Sequence, residues 1–167
     1  MKILSPRVPC CPRRPQRGLT MVEVLITLAV GGVMFSMAGP AFTEMIARQR
    51  MKSAATDIYI ALAKARSEAL RLNANVTLQA VNASQWDQGW YIADPDASVS
   101  KKLLEHGATS RIAITGSNVT YRPSGRITGS TAPSFSISST AATTKMCVNV
   151  DLSGRPYQKS VASNSSC

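Results

Sequence analysis

The chain has one histidine, His106, and only nine acidic residues against nineteen basic ones. His106 follows Leu103-Leu104-Glu105 and reads as a surface residue. No nucleophile motif, metal-ligand spacing or glycine-rich phosphate loop accompanies it. Serine is abundant, but a hydroxyl without a base and an orienting partner is no nucleophile. Asp94-Pro95-Asp96 offers too few ligands for calcium and reads as a turn. Acids are absent from the first 18 residues, which hold five basic ones. No internal repeat is evident. These absences argue against an enzyme or a metal protein, and no cofactor is expected.

What is present begins at Arg17-Gly18-Leu19-Thr20-Met21-Val22-Glu23. From residue 19 to 42 the residues are apolar or small, apart from Glu23 and a few hydroxyls. At about 1.5 Å per residue this run is long enough to cross a hydrocarbon core of roughly 30 Å, so it reads as membrane-spanning. A carboxylate inside such a span costs about 2.5 to 3.5 kcal/mol, so Glu23 either has a partner charge or sits in the headgroup region. Pro40 removes a helical hydrogen bond at about 3 kcal/mol if uncompensated, and Gly31, Gly32 and Gly39 add weak points. Small residues, Ala29 and Ala38 included, allow close approach, so the helix reads as one meant to pack among others. An ordinary single-pass anchor would leave Glu23 and Pro40 unexplained. The basic residues 1–18 stay cytoplasmic by the positive-inside rule and read as a processing segment. Without them, fourteen basic residues face nine acidic ones.

The heptapeptide resembles the class III signal of type IV prepilins: glycine, cleavage, a hydrophobic residue, and glutamate five positions into the mature chain. Leu19 is then mature residue one, and Pro40 falls where pilins commonly carry a proline. The resemblance implies that residues 1–18 are a leader, cut after Gly18 by a prepilin peptidase that methylates the amine of Leu19. It also implies that Glu23 neutralises that amine in a neighbouring subunit. Implied partners are the prepilin peptidase, other major and minor pilins, the inner membrane and the pilus assembly platform. The implied location is the bacterial inner membrane, single-pass with the head in the periplasm, and later a pilus or pseudopilus fibre.

Beyond the assembly helix of residues 19–42, residues 43–72 continue as an amphipathic helix. Met51, Ala55, Ile58, Leu62, Ala65, Ala69 and Leu72 form one apolar stripe in steps of four and three. Arg48, Arg50, Lys52, Asp57, Lys64, Arg66, Glu68 and Arg71 occupy the solvated side. A coiled-coil dimer is an alternative, but the alanines and the single copy of the stripe favour packing on the chain's own sheet. The whole helix would run roughly 80 Å. Residues 73–167 form a β-rich head with strands expected at 76–81, 90–93, 111–115, 119–122, 135–138 and 145–150. The Ser/Thr-rich stretches 128–144 and 160–166 read as loops. The fold class is α+β, pilin-like, with the long helix packed on an antiparallel β domain.

Cys10 and Cys11 lie in the leader, leaving Cys147 and Cys167 as the only pair beyond it. A disulfide between them is expected outside the cytoplasm; it would close a loop of about 20 residues and contribute about 3 kcal/mol. Two unpaired thiols are the alternative. A zinc site is disfavoured, since two cysteines and one distant histidine make no ligand set.

Within the pilins, the head resembles the FimT/GspH group of minor pilins and pseudopilins. The carriers are Trp86-Asp87-Gln88-Gly89-Trp90-Tyr91, then Tyr121-Arg122-Pro123-Ser124-Gly125-Arg126, and the Leu152-Ser153-Gly154-Arg155 turn. Trp86, Trp90 and Tyr91 read as core or sheet-covering residues in preference to a ligand surface. The resemblance implies a minor pilin of type IV pilus biogenesis, for assembly, priming or the fibre tip; the alternative is a type II secretion pseudopilin. DNA binding is the rival activity. Residues 101–167 hold eight Lys/Arg and two acids, and Arg122, Arg126, Arg155 and Lys159 near turns would suit a phosphate strip. Some FimT-like pilins are DNA receptors with a C-terminal glycine-arginine-any-arginine motif; Gly154-Arg155-Pro156-Tyr157 lacks its second arginine. A basic face that only keeps the fibre tip solvated accounts for the charge equally well.

Overall fold

The computed structural model describes residues 18–82, 85–96 and 101–167. Residues 1–17, expected to belong to a leader and including Cys10 and Cys11, lie outside the described residues. One helix, α1 (Met21–Leu72), spans 52 residues. Thr20 caps it: its hydroxyl accepts the Glu23 N–H at 3.3 Å and its carbonyl accepts the Val24 N–H at 3.2 Å. At the other end Asn73 takes a left-handed φ of 51°, and the Ala74 N–H returns to the Ala69 carbonyl at 3.4 Å. That six-to-one bond closes the helix as a Schellman cap, and asparagine tolerates the conformation better than most residues.

The chain divides into two compact units, the second being Pro40–Cys167. In the first, Leu25, Ile26, Leu28, Val33 and Phe35 are all more than half exposed. Apolar side chains turned outward all round a helix suit apolar surroundings, not water. No single helix among the described residues is long and apolar enough to cross a membrane. Met21–Ser36 and Ala41–Leu72 together meet the length and composition, as a broken span.

In the second unit, α1 packs on two four-stranded antiparallel sheets. The strands are β1 (Val76–Asn82), β2 (Gln85–Ala93), β3 (Lys102–His106), β4 (Ala113–Thr115), β5 (Val119–Tyr121), β6 (Ser134–Ser138), β7 (Thr144–Val150) and β8 (Pro156–Ala162). One sheet has the order β3-β2-β1-β5, the other β4-β6-β7-β8. This is the expected α+β architecture, with two strands more than the sequence pattern announced. β3 and β8 are both edge strands, and an edge needs no continuous apolar face. Residues 160–162, expected in a loop, pair with Thr144, Lys145 and Met146 of β7, and residues 134–138 of the first Ser/Thr-rich stretch form β6.

The predicted stripe is the core. Ala55, Ile58, Leu62, Ala65 and Ala69 have no exposed surface, Met51 has almost none, and Leu72 is packed partly buried against them. The stripe therefore meets the chain's own sheets, not a second copy. Glu68, expected on the solvated side, is buried; Lys64 at 2.8 Å and Arg71 at 2.6 Å neutralise it there. Trp86 and Phe135 meet edge to face, centroids 4.8 Å apart, and so join the two sheets. Trp86 and Trp90 are fully buried core residues, while Tyr91 is half-buried with its hydroxyl bonded to Gln79.

Candidate functional site

Three places carry the predicted functional residues: the junction before α1, the disulfide, and the basic turns. At the junction, Gly18 and Leu19 precede the helix, and Leu19 is 74% exposed. A Cβ added at Gly18 would meet nothing within 4 Å, so packing does not require glycine there. Glu23 stands at the third helical position behind the Thr20 cap, the spacing of a capping box. Among the described residues it has no ion-pair partner. Pro40 lies within α1.

Cys147 of β7 and Cys167 are joined by a disulfide, Cα atoms 5.6 Å apart. The bridge ties the last residue over β8 to the buried middle of the sheet. Lys159 stands in register with Cys147 and donates from Nζ to the Cys167 carbonyl at 3.1 Å. Lys159 is thus committed beside the bridge, four residues after Arg155 of the preceding turn.

The basic residues on turns are placed differently. The Arg122 N–H donates to the Arg126 carbonyl and the Gly125 N–H to the Arg122 carbonyl, both at 2.8 Å, closing one turn after β5. The second turn links β7 to β8. There the Gly154 N–H donates to the Asp151 carbonyl at 2.9 Å, and the Arg155 N–H to Asp151 Oδ1 at 2.9 Å. Gly154, at φ +82°, packs so closely that an added Cβ would stand 2.2 Å from the Gly125 carbonyl oxygen. The two turns are therefore stacked, bringing Arg122, Arg126 and Arg155, all exposed, to one corner of the head. Arg66 of α1 reaches the same corner, its Nε 3.2 Å from where a Gly125 Cβ would be.

One acid tempers this corner. The Ser153 hydroxyl at 2.6 Å and the Arg155 N–H hold the Asp151 carboxyl below its usual range, so it stays charged beside Arg155. Tyr121 lies beneath, its hydroxyl buried without a partner among the described residues and its pKa pushed up by that burial. Tyr157 is 49% exposed, its hydroxyl accepting a 3.4 Å bond from Asn149. The spacing of the arginines in sequence did not disclose the stacking; the glycine in each turn was its only local signal.

His106, expected at the surface, is one-third exposed on an edge strand but makes specific contacts there. β3 pairs with β2 so that His106 faces Trp90, and the rings stack at 4.0 Å with 4° between their planes. Its Nε2 lies 3.4 Å from Asp57 of α1 and its Nδ1 2.8 Å from the Gly107 carbonyl. These contacts make it a packing link between β3 and the helix. Among the described residues no group of three His, Cys, Asp or Glu side chains could hold a metal.

The profile described as type II transport protein GspH matches residues 54–154. This chain belongs to the GspH family. The prokaryotic N-terminal methylation motif matches residues 13–39, spanning the junction. Its GspH-family head shares its fold with the type IV minor pilin FimU of Pseudomonas aeruginosa (strain PAO1). Two crystal forms of FimU give TM-scores of 0.56 and 0.59 at 22% identity, covering 65% and 67% of this chain and 91% and 90% of FimU. The curated proteins contain no significant match. The family assignment makes the chain a type IV pilin-like protein of the FimT/GspH group.

Proposed function

We propose that this protein is a minor pilin of type IV pilus biogenesis, a subunit that primes assembly or sits near the fibre tip. The observation that carries the reading is the methylation motif over residues 13–39 directly before a GspH-family head. Cleavage after Gly18 frees the amine of Leu19 for methylation; the exposure of both residues and the open space at Gly18 support access by the peptidase. Residues 19–42 then anchor the subunit in the inner membrane with the head in the periplasm, and Pro40 loosens the helix for extraction. Glu23 pairs with the amine of Leu19 in a neighbouring subunit, which supplies a counter-charge that Glu23 lacks among the described residues. The disulfide fits an oxidising compartment. The role is assembly, with other pilins, the peptidase and the assembly platform as partners, and not catalysis.

A type II secretion pseudopilin is the second reading, favoured by the description of the matching family. Deleting the gene separates the two. Loss of surface pili and twitching with secretion intact supports the pilin; loss of secretion with normal pili supports the pseudopilin.

A contribution to DNA uptake is supported by the corner of Arg122, Arg126 and Arg155; Lys159 is less suited, being engaged at the C-terminus. Purified mature protein should bind duplex DNA with an affinity that falls as salt rises and drops on Arg155→Ala. Binding absent at low salt would leave the corner as a solvated basic face.

A further inference from the structure

A groove of about 640 Å³ lies between the first turns of α1 in the head unit and the end of the β4 sheet. Buried Ala47 and Ile112 and the partly exposed Ile46 line it with apolar surface, and the hydroxyls of Ser138 and Ser139 add polar groups. Arg50 and Arg111 line it as well, both exposed, and among the described residues neither guanidinium has an acidic partner. Arg48 and Arg71 on the same helix are paired with Glu44 and Glu68. Arg111 also holds a left-handed φ of 63°, a conformation that disfavours any side chain but glycine or asparagine.

We propose that this groove binds the head group of an anionic phospholipid, the arginines holding the phosphate and the apolar lining taking the nearest carbons of an acyl chain. Two observations select that occupant. The lining pairs two uncompensated cations with apolar surface, which matches an amphipathic anion better than free phosphate. Its helical side begins at Thr43, one residue past the apolar run 19–42, where a chain leaving a bilayer meets lipid head groups. An acidic segment of a neighbouring subunit would match the charges but gives no reason for this position. The inference rests on the reading that residues 19–42 cross the membrane.

The test uses the full mature chain reconstituted with phosphatidylcholine alone or mixed with phosphatidylglycerol, with retained lipid quantified after repurification. Phosphatidylglycerol should be enriched over its share of the bilayer, and Arg50→Gln and Arg111→Gly should each reduce that enrichment about fivefold. Arg111→Gly relieves the backbone conformation, so lost folding would not explain its effect. Equal retention of both lipids, or enrichment unchanged in both variants, overturns the proposal while flotation with the vesicles leaves the membrane reading standing. Failure to float with phosphatidylcholine vesicles overturns both. A photoreactive residue in place of Ala113 should capture lipid; capture of a polypeptide instead makes the groove a subunit interface and overturns the lipid assignment.

Discussion

Gly154 sits against the carbonyl of Gly125, leaving no room for a side-chain carbon between the two turns. The contact joins the β5 turn to the β7–β8 turn, and with it the three arginines of the basic corner. Because the obstacle is a backbone oxygen, no rotamer change can relieve it, and the φ of +82° adds strain for any L-residue. Gly154→Ala should destabilise the head by about 1 to 3 kcal/mol, read as a lower Tm. A variant with unchanged Tm and unchanged DNA affinity would mean that the turns are not held this way.

The Cys147–Cys167 bridge spans 20 residues and encloses β8. Replacing both cysteines with serine should cost about 3 kcal/mol in the loop-entropy account. Reductant should lower the wild-type unfolding free energy by a similar amount, read as a lower Tm, and leave the double variant unmoved. Equal sensitivity of both proteins to reductant would show that the bridge is not the redox-sensitive element.

At the junction, Gly18→Val should leave the leader attached, because the added branches occupy space the peptidase needs beside the scissile bond. A mature-sized band from that variant would move the cleavage site. Glu23→Ala should be processed and remain a stable membrane protein, since Thr20 still caps the helix, yet it should be depleted from sheared pili. Normal recovery with the fibre would remove the proposed ion pair with Leu19.

Glu68 is buried, and hydrogen bonds first from Lys64 and then from Arg71 hold its pKa below the usual 4.5. With the folded pKa the lower of the two, the unfolded chain binds the proton first on acidification. The stabilisation is therefore complete above the unfolded value and is lost as pH falls through the folded one. Glu68→Gln should be less stable than wild type at neutral pH, and the gap should close toward pH 3. Urea unfolding at both pH values checks this; a gap of constant size would assign the loss to packing alone.

Local pattern announced the parts of this protein that depend on neighbours in sequence. The stripe from Met51 to Leu72 repeats at helical spacing, and burial followed that spacing almost residue for residue, whereas the run 19–42 is legible as a continuous apolar segment with no single buried face. Most of the strands expected from alternation formed within a few residues of the expected bounds, while β2 extended back to Gln85. Cysteine arithmetic anticipated the bridge because only one pair remained beyond the expected leader.

Tertiary structure decided what depends on distant segments. β3 and β8 are edge strands whose polar sequences carry little alternation, so only their partners β2 and β7 define them. The stacking of His106 on Trp90 follows from strand register, and the burial of Glu68 from two cations reaching it across a helix face. The fourfold basic strip read from sequence became three arginines on stacked turns, with Lys159 held at the C-terminus. Sequence spacing encodes which face of one element is apolar, because that periodicity is a property of the backbone; which turns meet, and which charges are left without partners, is set only when the sheets close on the helix.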